Sequence, residues 1–86
     1  MTENRTATLY RMVLPNHACP YGVRAKEMLE ESGYIVDDRI LRSREEVDAF
    51  LDENGFATTP QVFIGDSLIG DSDELELFLI KEQSVA

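Results

Sequence analysis

The apolar positions divide the chain into stretches typical of strands and stretches typical of helices. Residues 7–14 (ATLYRMVL) and residues 34–40 (YIVDDRI) are rich in the β-branched and aromatic residues that strands favour. Residues 61–64 (QVFI) form a compact β run. The turn signal at residues 65–66 predicts that this run pairs with a strand beginning at residues 68–69, as a hairpin.

Three further stretches carry helical signals. Residues 20–32 open with proline, which suits the first helical position. Ser43 and the glutamate three residues later form a capping box, so a second helix is expected from Ser43 to a stop at Gly55. Asp71 or Ser72 is expected to cap a third helix. The expected buried faces consist of Val23, Met28 and Leu29; Val47, Phe50 and Leu51; and Leu75, Phe78 and Leu79. The order β-α-β-α-β-β-α predicts an α/β layer architecture.

The length and composition of the chain indicate one globular domain over residues 1–86. Hydrophobic residues make up 43% of the sequence, which is too many for a disordered chain. Eight Lys and Arg face 17 Asp and Glu, and the net charge of −9 argues against a nucleic-acid partner. The acidity favours solubility, and it also suits selection of basic partner proteins; the sequence does not separate these two interpretations.

Neither a membrane span nor a secretory leader is expected. Apolar runs such as residues 62–64 are far too short to cross a bilayer, and residues 1–5 lack the apolar stretch of a signal peptide. A lone cysteine fits a reducing compartment, so a cytoplasmic location is the expectation.

Cys19 is the only cysteine, and it falls where the first strand gives way to the first helix. Unpaired backbone N–H groups and the helix dipole at such a position favour the thiolate, which is the nucleophile of thiol–disulfide exchange. A lone cysteine is more often an inert buried residue. The neighbouring Pro20 and the loop position favour the reactive alternative.

Three segments, taken together, resemble the glutaredoxin family. Residues 19–22 (CPYG) resemble its C-P-Y-C active site, residues 58–64 (TTPQVFI) its T-V-P-Q-[IV]-F-I segment, and residues 69–75 (IGDSDEL) its I-G-G-[SC]-D-D-L segment. The resemblance implies a thioredoxin-like, three-layer α/β fold with a four-stranded mixed sheet. It also implies glutathione as co-substrate.

The resemblance assigns roles around Cys19. Cys19 would attack the mixed disulfide between a substrate and glutathione, and Tyr21 would line the groove beside the thiol. Pro60 would be a cis-proline, with Thr59 presenting backbone groups to the cysteinyl part of glutathione. A trans proline that starts an edge strand is the alternative for Pro60.

The resemblance also implies binding roles at two helix starts. Ser72 and Asp73 would hold the γ-glutamyl end of glutathione, its carboxylate at the helix N–H groups and its ammonium facing Asp73. Helix capping alone is the alternative for both residues. Arg44 lies about where glutaredoxins carry an Arg or Gln that reaches the glycine carboxylate; the alternative is a solvated surface arginine.

The sequence departs from the family pattern at three positions. Gly22 replaces the second cysteine, so an intramolecular disulfide is excluded by count. Asn16 stands where glutaredoxins usually carry a lysine that binds glutathione, with His17 and Arg24 as candidate partial replacements. Asp71 replaces the second glycine and adds negative charge beside the expected glutathione site.

One thiol per chain leaves three functional hypotheses. The first is a monothiol, glutathione-dependent oxidoreductase that acts as a monomer on glutathionylated proteins through Cys19. The second is a dimer that bridges a [2Fe–2S] cluster with one cysteine per chain and two glutathiones, for which Pro20 after the cysteine is unfavourable; no other metal ligand is expected. The third is a non-enzymatic adaptor of thioredoxin-like fold.

Overall fold

The structure is a computed structural model that describes the backbone of residues 5–85 and the side chains of residues 5–82. The expected absence of a signal peptide concerns residues 1–5, most of which lie outside the described residues. The elements are β1 (Thr6–Leu14), β2 (His17–Ala18), α1 (Pro20–Glu31), β3 (Ile35–Leu41), α2 (Arg44–Asn54), β4 (Gln61–Ile64), β5 (Ser67–Gly70) and α3 (Ser72–Val85). Their order matches the sequence prediction except for β2.

Four strands form one mixed sheet in the order β3-β1-β4-β5. β1 pairs in parallel with β3, from Thr6 opposite Ile35 to Met12 opposite Leu41. β1 pairs antiparallel with β4, and β4 pairs antiparallel with β5. The parallel β1–β3 pair requires a crossover, which α1 supplies. The predicted four-stranded mixed sheet is confirmed.

A short hairpin at the end of β1 was not predicted. Val13 and Leu14 pair with Ala18 and His17 across a turn at residues 15–16. The sequence predicts a loop here, because a two-residue strand has no periodicity that a pattern could reveal. The hairpin leads the chain from β1 directly into Cys19.

Helices cover both faces of the sheet, which gives three layers. α1 and α3 cover one face, where the main core consists of Ala7, Leu9, Ala25, Leu29, Tyr34, Val62, Leu75 and Leu79. α2 covers the other face through an aromatic cluster of Tyr10, Phe50, Phe56 and Phe63. Successive residues of a strand point to opposite faces, so Leu9 belongs to the first core and Tyr10 to the second.

One predicted core residue lies at the surface. Val23 is 37% exposed, whereas Gly22, Ala25 and Leu29 form the buried face of α1. Positions three and four apart share a helix face, so the buried stripe begins one residue earlier than predicted. The first turn of α1 therefore turns Gly22, and not Val23, toward the sheet.

The helix ends follow the local signals in the sequence. The Ser43 hydroxyl accepts the Glu46 N–H at 3.1 Å, and the Glu46 carboxylate accepts the Arg42 N–H at 2.7 Å, one residue earlier than in the usual capping box. α2 ends at Asn54, and its C-cap residue Gly55 has a left-handed φ of 70°. No helix in the described part of the chain is long and apolar enough to cross a membrane.

Candidate active site

Cys19 is the N-cap residue of α1, and backbone contacts fix its position. Its N–H donates to the carbonyl of Met12 at 3.4 Å, and its carbonyl accepts the N–H groups of Gly22 and Val23 at 3.1 and 3.2 Å. Its side chain makes no capping hydrogen bond and is partly exposed. The thiol therefore stands at the positive end of α1, accessible to a reacting disulfide.

A pocket of about 170 Å³ brings the three sequence segments together beside α1. Its lining consists of Tyr21, Thr58, Thr59, Pro60, Asp71, Ser72 and Asp73. Five of the six residues predicted to bind glutathione are in this set. Tyr21 comes two positions after Cys19, so the pocket lies next to the helix start that carries the thiol.

The segment before β4 forms one wall of the pocket. The Thr59–Pro60 peptide bond is cis, as the sequence predicted, and Pro60 is buried. The Gln61 side-chain amide donates to the Thr58 carbonyl at 2.8 Å, and the Thr58 hydroxyl donates to the Thr59 carbonyl at 3.1 Å. Neither Thr58 nor Gln61 was predicted to have a role, although both belong to the segment that resembles the family.

The start of α3 forms another wall. Asp71 is the cap: its carboxylate accepts the Glu74 N–H at 3.0 Å, and the Glu74 carboxylate accepts the Asp71 N–H at 3.2 Å. The sequence predicted that either Asp71 or Ser72 caps α3. Since Asp71 takes this role, the N–H groups of Ser72 and Asp73, which have no partner within the helix, face the position where an anion could bind.

Arg24 pairs with acidic side chains of α3. Its guanidinium donates to the Glu76 carboxylate at 2.6 Å and lies 3.6 Å from the Asp73 carboxylate. The hydrogen bond to Glu76 raises the pKa of Arg24 above its ordinary value. Arg24, one of the two candidate replacements for the lysine missing at position 16, is thus paired with α3. Asp73, with 82% of its side chain exposed, shares that pairing only loosely.

Other predicted residues lie outside the pocket lining. Arg44 is the first residue of α2 and is exposed, and it is not among the residues that line the pocket. Asn16 and His17 are exposed in the hairpin that precedes Cys19. Among the residues that the structure describes, no group of three or more His, Cys, Asp or Glu side chains could hold a metal ion.

The fold and the site together define a thioredoxin-like protein with one thiol at a helix start and a cis-proline in the adjacent pocket. The glutaredoxin family model matches residues 7–69. The chain belongs to the glutaredoxin family. Glutaredoxins as a family are glutathione-dependent thiol oxidoreductases, and glutathione is their co-substrate.

Two curated proteins show the relationship in sequence. The chain is 37% identical over 60 residues to hybrid peroxiredoxin hyPrx5 of Haemophilus influenzae, over 70% of this chain and 25% of that protein. It is 34% identical over 58 residues to a glutaredoxin of Pseudomonas aeruginosa, over 66% of this chain and 69% of that protein. The chain thus corresponds to about a quarter of the hybrid peroxiredoxin and to most of the glutaredoxin.

Solved structures confirm the thioredoxin-like fold. Glutaredoxin 1 of Francisella tularensis, complexed with cacodylate, superimposes with a TM-score of 0.78 at 30% identity, over 92% of this chain and 96% of that one. A glutaredoxin of Brucella melitensis gives 0.66 at 26% identity, over 91% and 82%. A buckwheat glutaredoxin–glutathione complex gives 0.71 at 23% identity, over 92% and 72%, and supports the fold alone.

Proposed function

We propose that this chain is a monothiol oxidoreductase that removes glutathione from glutathionylated proteins through Cys19. The observation that carries the proposal is the position of the only cysteine at the start of α1, beside a pocket lined by the segments that resemble glutathione-binding segments. The proposed setting is a reducing cytoplasm, and the proposed working form is a monomer.

The reaction needs two exchange steps. The Cys19 thiolate attacks the glutathione sulfur of the mixed disulfide; a bond forms between Cys19 and glutathione, and the substrate thiolate leaves and takes up a proton. The thiolate of a second glutathione then attacks the glutathione sulfur bound to Cys19. Glutathione disulfide leaves, and the Cys19 thiolate is restored. Because the chain has no other cysteine, the second thiol must come from glutathione.

The pocket suggests how glutathione is held. Backbone groups of Thr59, next to Pro60, would pair with the cysteinyl part, and the exposed ring of Tyr21 would cover one side. The N–H groups of Ser72 and Asp73 would bind the γ-glutamyl carboxylate, with the Asp73 carboxylate near the ammonium. A contact from Arg44 to the glycine carboxylate stays a prediction.

Steady-state kinetics with a glutathionylated peptide and glutathione test the proposal. We expect ping-pong kinetics, because the glutathionylated enzyme forms before the second glutathione reacts. We expect Cys19→Ser to reduce release of the free peptide thiol to the uncatalysed rate. An unchanged unfolding midpoint for this near-isosteric variant would show that the loss concerns the thiol and not the fold.

Other results would favour the two alternatives. Visible absorption of a [2Fe–2S] cluster after anaerobic reconstitution with glutathione, together with absent peptide release, would favour cluster carriage. Peptide release that is equal in the wild type and in Cys19→Ser would overturn the proposal. Protein binding that survives the same substitution would then favour the adaptor.

A further inference from the structure

The residue at the position of the missing second cysteine is packed tightly against β1. Gly22 is buried in the first turn of α1, and a Cβ placed on it would lie 2.9 Å from Cβ and 3.2 Å from Cδ of Arg11. Real Cβ atoms essentially never approach another carbon as closely as the first of these distances. Glycine is therefore required here by close approach and not by backbone conformation, since Gly22 is not among the glycines with positive φ.

Arg11 is held in place from the neighbouring strand. Its Nε and Nη2 donate to the two carboxylate oxygens of Asp38 at 2.9 and 2.8 Å, and only 13% of its side chain is exposed. These hydrogen bonds raise the pKa of Arg11 above its ordinary value, so the guanidinium stays charged. A bidentate pair fixes the guanidinium in direction as well as in distance. The Cβ of Arg11 is fixed by β1 itself and cannot move away by rotation.

We propose that Arg11, through its Cβ on β1, is a positioning residue that makes the one-thiol site a consequence of packing. It fills the space that any side chain at position 22 would need, and it lets the first turn of α1 lie close to β1. The consequence for the reaction, that glutathione must supply the second thiol, rests on the proposed function. The contact between Arg11 and Gly22 does not depend on it.

The sign of a stability change tests the contact. A glycine-to-alanine change inside a helix ordinarily raises stability. We expect Gly22→Ala to lower the Tm by about 5 °C or more, as overpacking does in a domain of this size. In the Arg11→Gly background the same change should raise the Tm, because the Cβ and Cδ of Arg11 are gone.

Arg11→Ala is the matched control. It loses the ion pair with Asp38 as Arg11→Gly does, but it keeps the Cβ. We therefore expect Gly22→Ala to remain destabilising in the Arg11→Ala background. A Tm that rises on Gly22→Ala in the wild type, or a penalty that persists unchanged in Arg11→Gly, would overturn the proposal.

A second test uses the variant Gly22→Cys and one equivalent of an aromatic disulfide, which requires no glutathione site. The Cys19 thiolate attacks one sulfur of the reagent, a mixed disulfide forms, and an aromatic thiolate leaves. A thiolate at position 22 that can reach Cys19 would attack the Cys19 sulfur, form an internal disulfide and expel the second aromatic thiolate. Intact mass distinguishes the aromatic adduct from the internal disulfide.

We expect Gly22→Cys alone to keep the aromatic adduct, and the double variant with Arg11→Gly to form the internal disulfide at least tenfold faster. Equal rates in the two proteins would contradict the proposal. If Arg11→Gly does not fold, the same comparison is made with Arg11→Ala, where we expect no acceleration, and acceleration there would count against the Cβ contact. Failure of the proposed function would appear separately, as a wild type that takes up the aromatic group but does not deglutathionylate a peptide.

Discussion

The Asp71 carboxylate has two opposing effects at the active site. It caps α3 by accepting the Glu74 N–H, which stabilises the helix that forms one wall of the pocket. It also places a negative charge beside the N–H groups of Ser72 and Asp73, where we propose that the γ-glutamyl carboxylate binds. Like charges repel, so the cap that secures the wall weakens the affinity of that wall for its ligand.

Asp71→Asn separates these effects. Asparagine keeps a side-chain oxygen that caps the helix, and it removes the charge. We expect the KM for the glutathionylated peptide to fall by about two- to fivefold, the size of an exposed charge interaction at a helix start. Initial rates at varied glutathionylated peptide check this, and Asp52→Asn, on α2, is the control in which no change is expected. A KM that stays the same or rises in Asp71→Asn would contradict this account of the pocket.

At the scale of elements, the start of α2 shows how much the sequence can specify. The hydroxyl of Ser43 satisfies the Glu46 N–H, and Gly55 ends the helix in the left-handed conformation. Both signals are local, so both were predictable from residue types at fixed spacing. α2 buries Val47 and Phe50 against the sheet, so losing its cap should affect the stability of the whole domain.

Ser43→Ala should lower the free energy of unfolding by about 1 kcal/mol, because the Glu46 N–H loses its partner. In a domain of this size the change corresponds to a fall in Tm of about 4–8 °C. Thermal unfolding followed by circular dichroism measures it, with Ser67→Ala in the exposed part of β5 as control. A Ser43→Ala variant as stable as the Ser67→Ala variant would show that the cap contributes nothing.

Other features of the elements could not be read from the chain. Whether Gly22 or Val23 faces the sheet depends on the rotation of α1 about its own axis, which packing against β1 decides. The hairpin of His17 and Ala18 with the end of β1 involves too few residues to leave a pattern. Both features lie next to Cys19 in the sequence. Local sequence patterns could not predict them, because tertiary contacts determine the structure around the site.

For the whole molecule, the order of the elements and the residues of the pocket were largely predictable from the sequence. The side-chain pairs between separate elements were not. Tyr21, Pro60 and Ser72 come from three separate segments, and resemblance to family motifs was sufficient to group them. The pairing of Arg24 with Glu76 depends on how α1 and α3 pack together, which no sequence motif encodes. The placement of Arg44 outside the pocket lining is likewise a matter of tertiary geometry.

A buried tyrosine links the end of α1 to α3 and makes the stability depend on pH. The Tyr34 hydroxyl donates to the Glu82 carboxylate at 2.9 Å, and the Arg5 guanidinium lies 4.4 Å from the ring centroid. Burial, and then the hydrogen bond to Glu82, raise the pKa of Tyr34 above its ordinary value of 10.0. The folded state therefore holds the phenol proton more tightly than the unfolded state does.

The protonated Tyr34 phenol therefore contributes its full stabilisation of the folded state below the unfolded pKa of about 10. That contribution is lost as the pH rises through the folded pKa. We expect the free energy of unfolding of the wild type, measured in urea, to fall more steeply above pH ~10 than that of Tyr34→Phe. At pH 7 the variant should be less stable by about 1 kcal/mol, from the lost hydrogen bond. Tyr21→Phe, at an exposed ring, should follow the wild type. Parallel pH profiles for wild type and Tyr34→Phe would refute the assignment.

Transfer of glutathione from a peptide to Cys19 can be observed as a single exchange by intact mass. Reduced protein is mixed with an equimolar amount of a glutathionylated peptide in the absence of free glutathione. The reaction is quenched with acid, and the masses of protein and peptide are measured. We expect one glutathionyl group on Cys19 and a free peptide thiol, followed by return to the unmodified mass when glutathione is added. Protein that stays unmodified, or that carries the peptide in place of glutathione, would overturn the proposed exchange at Cys19.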